Sequence, residues 1–241
     1  MDFTQQIERA KTDIDAVYQT GYEKGKAEGG SDGYYNEFWD SYQSNGNRLS
    51  YTDGFAGMGW NNETFKPKYN INPNNCYRLF AESKISGDLV DILNNLNILF
   101  NTSQSTDMYY AFALSQFTHL GIISFESSTA INNSFRTASS LEIIDELIFK
   151  EDGSNTFNTP FMGCTALTTI TKISGKIGNS IPFPQSSKLT DDTVDQIINA
   201  LKDYSGTTTQ PTLTVHADVY NKMVQSGKDT LVTAKNWKLA K

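Results

Sequence analysis

Between residues 2 and 27, apolar side chains fall at Phe3, Ile7, Ala10, Ile14 and Val17, spaced 4, 3, 4 and 3. Glu, Lys, Gln and Asp fill the remaining faces, and no Pro interrupts the stretch. This spacing predicts a helix with a narrow a/d seam, the pattern of a short coiled coil. Such a stripe buries little against a globular body, and a helix of this length is marginal alone in water. The expectation is therefore a homo-oligomeric parallel bundle. β-Branched Ile7, Ile14 and Val17 suit two or three strands, so a trimer is among the arrangements. Docking of the same face on the chain's own body is the alternative. The following GYEKGKAEGGSDG, residues 21–33, reads as a flexible joint. Its Gly21-to-Gly25-Lys26 spacing is one residue short of a phosphate loop, and Ala27 stands where Ser or Thr is needed.

From 34 to 71 the pattern turns aromatic, with Tyr34, Tyr35, Phe38, Trp39, Tyr42, Tyr51, Phe55, Trp60, Phe65 and Tyr69. Solvent-facing rings here would make a platform for sugars. The 3, 1, 3 spacing of Tyr35, Phe38, Trp39 and Tyr42 instead favours inward burial, as a cap on the next domain.

From residue 72 onward the pattern is periodic. Phe135-Arg-Thr-Ala-Ser-Ser-Leu141-Glu-Ile-Ile144 aligns without a gap on Phe161-Met-Gly-Cys164-Thr-Ala-Leu167-Thr-Thr-Ile170, at a period of 26. A looser copy has Phe112, Phe117, Leu120 and Ile122, in a spacing one residue short. Earlier still, Leu89, Ile92, Leu93 and Leu96 form a helical stripe leading into Ile98-Leu99-Phe100. Each unit holds too few apolar residues to stand alone, so neighbours must stack. A helix is expected from Thr190 or Asp191 to about Tyr204, ended by Gly206. A strand at 211–215, helices at about 218–225 and 229–234, and a last strand at 237–239 follow. Asp191, Asp192 and Asp195 read as first-turn acids favoured by the helix dipole.

Composition narrows the function. Lys and Arg total 20 against 27 Asp and Glu, a net charge of −7, and charged residues make up only 20%. Mean hydropathy is nevertheless −0.45. Thr (25), Ser (22), Asn (21) and Gly (17) supply the polarity, and their side chains suit tight bends. An acidic chain without a basic stripe is a poor partner for nucleic acid. No apolar window is long enough to span a bilayer, and residues 1–20 show no secretory h-region. Cys76 and Cys164 read as two free thiols. His119, inside an apolar run, and His216, after a strand, sit in no nucleophile motif, and no ligand spacing for zinc exists. No catalytic residue, metal or cofactor is expected.

The unit at 161–170 and its partner at 135–144 resemble the BspA-type leucine-rich repeat family. The closing LTDDTVDQIINALKDYSGTTTQPTLTVHADVYNKMVQSGKDTLVTAKNWKLA is similar to the end of leucine-rich repeat proteins of phages and prophages of gut Firmicutes. So are Tyr18 to Gly30, Phe38 to Gln43, Phe55 to Trp60 and Phe65 to Tyr69. The resemblance implies a virion part, tail- or baseplate-associated and made in the bacterial cytoplasm. It would touch other tail proteins or serve receptor binding, and it carries over no catalytic residue. The expected architecture is α/β: an oligomerising helix and joint (1–30), an aromatic-rich capping segment (31–71), and a leucine-rich-repeat solenoid (72–241) with a single sheet of short strands. The repeat core would comprise Phe112, Phe117, Leu120, Phe135, Leu141, Ile144, Phe161, Cys164, Leu167 and Ile170. The expected role is non-enzymatic binding of a host-surface glycan or protein. A purely structural tail module and a bacterial surface adhesin are the alternatives.

Overall fold

The computed structural model describes Phe55 and residues 60–241. Within them the order is β1 (Ser86–Asp88), α1 (Leu89–Asn95), β2 (Gln116–Ser124), β3 (Ala130–Asn132), β4 (Ile143–Ile148), β5 (Thr156–Asn158), β6 (Thr169–Ser174), β7 (Ile181–Phe183), α2 (Asp191–Ala200), β8 (Thr212–Val215), α3 (Ala217–Gln225), α4 (Lys228–Ala234) and β9 (Lys238–Ala240). Every strand pairing is parallel. The fold is thus mixed α/β, with few and short helices.

Three sheets form rather than the single one expected: β1-β2-β4-β6, β3-β5 and β7-β8-β9. The first cause is that each segment is extended twice, once in the long strand and again after a bend, so β3 and β5 pair apart from β2 and β4. The second is α2, which occupies the next place beside β6. There Thr193 Oγ1 accepts from Ile170 N at 3.0 Å and Gln196 Oε1 accepts from Ile173 N at 3.4 Å. At the opposite edge, the Asn62 side chain bonds both Ser86 N (2.8 Å) and Ser86 O (3.0 Å), imitating a neighbouring strand. Both edges of the main sheet are thereby occupied.

Between the strands, successive segments are joined backbone to backbone. Phe80 N donates to Ala111 O (2.7 Å), Phe112 N to Ser134 O (2.7 Å), and Phe135 N to Pro160 O (3.0 Å). The residues two before and two after each Phe are left-handed in all four segments: Arg78 and Glu82, Tyr110 and Leu114, Asn133 and Thr137, Thr159 and Gly163. At Gly163 an added Cβ would lie 2.8 Å from Thr137 Cα, so close approach demands glycine there. This shared geometry carries Phe80, Phe112, Phe135 and Phe161 into one stack, which Phe55 and Phe183 extend at its two ends. Phe55, Phe80, Phe112, Phe135, Phe161 and Phe183 follow one another at 4.8, 5.8, 5.5, 5.1 and 4.5 Å between ring centres. Every adjacent pair is near-parallel, with interplanar angles between 8° and 27°. The hydroxyl- and amide-rich composition has its use here. Ser134 Oγ donates to Met108 O (2.7 Å), Ser128 Oγ to Ser105 O (2.8 Å), and Asn155 Nδ2 to Phe125 O and Ser128 O. Backbone carbonyls that would otherwise be buried without partners are satisfied.

All ten residues named as repeat core lie in the interior, at 0 or 1% exposure. Ile144 and Ile170 are register partners across β4 and β6, as the gapless alignment requires. The packing runs through residue 72 without a break, since Ile71 bridges to Phe100 and Asn61 to Lys84. Phe55, Trp60 and Phe65, from the aromatic-rich segment, meet Phe80 in a buried cluster. Phe3, Ile7, Ala10, Ile14 and Val17, the joint at 21–33, and the aromatic residues from Tyr34 to Tyr51 lie outside the described residues.

At the carboxyl end, Thr190 caps α2 by accepting from Thr193 N. The helix stops at Ala200, short of the expected Tyr204, because Leu201 turns extended (ψ 127°) and bridges to Ile177. Gly206, the expected terminator, instead serves a later turn with φ +78°. Asp195, read as a first-turn acid, instead falls in the second turn, because the helix starts at Asp191, and it pairs with Lys228 Nζ.

Candidate binding surface

Strand β2 buries Phe117, Leu120 and Ile123 against the core, so Thr118, His119, Gly121 and Ile122 face outward. On β4 the same rule buries Ile144 and Leu147 and leaves Asp145 and Glu146 out. The register shift between Gly87 and Asp88 brings Asp88 opposite His119. Gly87, with φ +89°, permits that bulge.

His119 therefore stands between two carboxylates from neighbouring strands. Nδ1 lies 2.8 Å from Asp88 Oδ2, and Nε2 lies 2.8 Å from Asp145 Oδ1. Neutral imidazole has one N–H, and an ionised carboxylate only accepts. Two such contacts are both hydrogen bonds only if the ring is the doubly protonated cation. Partial burial works against that cation, yet the bonds and charges of Asp145 and Asp88 outweigh it and raise the His119 pKa above its ordinary 6.5. Partial burial likewise opposes the ionised Asp88. The Asp91 N–H, the His119 bond and charge, and the Val90 N–H overcome it and lower the Asp88 pKa. Asp88 has a second duty, since its Oδ1 accepts from Asp91 N (3.0 Å) as the cap of α1.

Beside this clamp, Glu146 meets Lys172 Nζ at 2.8 Å and accepts from Ser174 Oγ at 2.5 Å. The Lys172 bond, then the Ser174 bond, hold its carboxyl below the usual range. Ile122, 54% exposed, stands among these polar groups. Gly121 keeps the surface low, because a Cβ there would meet Val90 Cγ2 at 3.3 Å.

Both His119 nitrogens are committed to carboxylates, which leaves neither free to accept a proton from a nucleophile. His216 Nδ1 accepts from Asp218 N at 3.2 Å, capping α3. Burial pushes the thiols of Cys76 and Cys164 up to about 12, far from thiolate. Among the described residues no group of three or more His, Cys, Asp and Glu could hold a metal ion, and no helix is long and apolar enough to cross a membrane. His119 sits in the apolar run as expected, but the run hid its two partners. The period of 26 that aligned the phenylalanines also leads from His119 to Asp145, and that was the available signal.

Comparison with known proteins returns no matching family model, no matching curated protein and no matching solved structure.

Proposed function

We propose that the chain is a leucine-rich-repeat solenoid acting as a non-enzymatic recognition part of a phage tail or baseplate. In this reading the outer face of the main sheet, or its flanking turns, is presented for host-surface or glycan binding. The observation that carries it is the unbroken six-ring stack, with left-handed residues recurring on either side of four successive phenylalanines, Phe80, Phe112, Phe135 and Phe161. Such a periodic interior suits an extended, rigid surface. The tail assignment rests on the motifs at both ends of the chain. The a/d seam of Phe3, Ile7, Ala10, Ile14 and Val17 would join several copies, so that individually weak contacts add through avidity.

The test is co-sedimentation of the purified full-length chain with Firmicutes cells and with their isolated walls. Saturable binding that is reduced by forcing the chain to a monomer is expected. Absence of binding to every cell and wall preparation, with the protein nevertheless present in purified virions, would leave the structural tail module in its place.

A further inference from the structure

A second surface lies on the turns rather than on the sheet. Tyr77 and Tyr109 each stand three residues before a stacked phenylalanine, Phe80 and Phe112, and so occupy the same place in successive segments. Each backbone N–H is held by the acid or amide two residues earlier, Tyr77 N by Asn75 Oδ1 (2.7 Å) and Tyr109 N by Asp107 Oδ1 (2.9 Å). Equivalent backbone hydrogen bonds accompany two near-parallel rings, 5.4 Å apart and tilted by 13°. Tyr110, left-handed at φ 55°, turns its ring against Tyr109 at 4.5 Å. A non-glycine residue in that region costs about 1 kcal/mol or more. The exposed Arg136, from the next segment, donates through Nη1 to the Tyr110 hydroxyl at 3.3 Å. All three rings are half-buried, unlike the phenylalanines beneath them.

Two features distinguish this cluster from ordinary packing. The chain holds four arginines against sixteen lysines, yet the two that fall among the described residues, Arg78 and Arg136, both sit at this strip. Arginine's planar donor fork matches an oxyanion in a way that lysine does not. In addition, the position of Tyr77 and Tyr109 is taken in the next two segments by Asn132 and Asn158, register partners across β3 and β5. Aromatic rings thus run on into amides along one line. The Tyr109 hydroxyl, a donor at neutral pH like any phenol, is held further above its usual pKa by partial desolvation, then by Tyr110 and Tyr77 beside it.

We propose that Tyr77, Tyr109, Tyr110 and Arg136 form a binding site for an acidic glycan, a polyhydroxyl chain bearing carboxylate or phosphate. The rings take the C–H surfaces of the chain. The phenol hydroxyls and the Asn132 and Asn158 amides exchange hydrogen bonds with its hydroxyls, and Arg136 with the phenols receives the oxyanion. This inference rests on the recognition reading above and names its ligand class.

The experiment is calorimetric titration of the full chain with two anionic probes, a uronic-acid oligosaccharide and poly(glycerol phosphate). The carboxyl-reduced oligosaccharide serves as the neutral counterpart. Saturable binding of at least one anionic probe, weaker for the neutral one, is expected. Arg136→Gln and Tyr109→Phe, each with an unchanged thermal midpoint, should weaken it about tenfold, a loss of about 1.4 kcal/mol. Which anionic probe binds tells carboxylate from phosphate. Failure of both to saturate below about 1 mM, or unchanged binding by both variants, overturns the site. Cell-wall binding that survives in both variants removes this site while the recognition reading stands. Probe binding without any cell or wall binding does the reverse.

Discussion

Phe135 lies in the interior of the ring stack and is the most informative single position to alter. It stacks on Phe112 at 5.5 Å and on Phe161 at 5.1 Å, and meets Phe125 edge-on at 6.1 Å. Phe183, at one end, stacks only on Phe161, at 4.5 Å. Both rings are fully buried, at 0 and 1% exposure, so a change to Leu removes similar volume from each. The difference between them reports ring pairs. An aromatic pair is worth about 0.5–1.5 kcal/mol beyond area burial. Phe135→Leu, losing three pairs, should therefore cost about 3 kcal/mol in pairing, against about 1 for Phe183→Leu. With a urea slope of about 2.5 kcal/mol/M, the midpoint of Phe135→Leu should fall about 0.8 M further than that of Phe183→Leu. The assay is urea unfolding followed by circular dichroism. A double-mutant cycle of Phe135→Leu with Phe161→Leu should show a coupling near 1 kcal/mol. Equal midpoint shifts for the two single variants, together with zero coupling in the cycle, would refute the stack as a source of stability.

Other outcomes follow from the same geometry. The gap in thermal midpoint between wild type and His119→Ala should depend on pH. The raised His119 pKa makes its share of stability complete below pH 6.5 and lost as pH rises through the folded value. The lowered Asp88 pKa makes its share present above pH 3.8 and lost as pH falls through its folded value. The gap should thus peak between these limits, at about 1 kcal/mol for a half-exposed clamp; a gap constant from pH 4 to 9 contradicts the doubly bonded cation. Gly175→Ala should cost about 3 kcal/mol or more, because its Cβ would fall 2.1 Å from Phe149 O at φ +76°. Gly206→Ala, equally left-handed but with nothing within 4 Å, should cost only about 1 kcal/mol; matching melts for the two would show that contact is irrelevant. Cys76 and Cys164, raised to about 12, should resist a thiol reagent in the native chain and react fully in urea. Rapid labelling without denaturant would place them wrongly.

The interior was readable because the Phe-x-x-small-x-x-Leu-x-x-Ile pattern names only buried positions, and stacking needs the same residue type at the same place. Leu141 and Leu167, or Ile144 and Ile170, are apolar for that reason alone. The split into three sheets was not readable. It depends on where the backbone bends after Ser124 and Ile148, and on Thr193 and Gln196 taking the place of a strand. The left-handed columns also left little trace, since Arg78, Tyr110, Thr137 and Thr159 occupy positions where a glycine would have announced the turn. The His119 clamp was missed because Asp88 and Asp145 are 31 and 26 residues away and only the register makes them neighbours. The helix stop at Ala200 was invisible for a similar reason. Nothing local breaks the pattern there, and a bridge to Ile177 ends it.

Asn62 on one margin of the main sheet and Thr193 with Gln196 on the other have a colloidal consequence. Parallel ribbons with vacant margins fuse when chains are crowded, each lending the next its missing neighbour. Here amide and hydroxyl groups already stand in that place, so many copies can be held side by side without the main sheets zipping into a fibre.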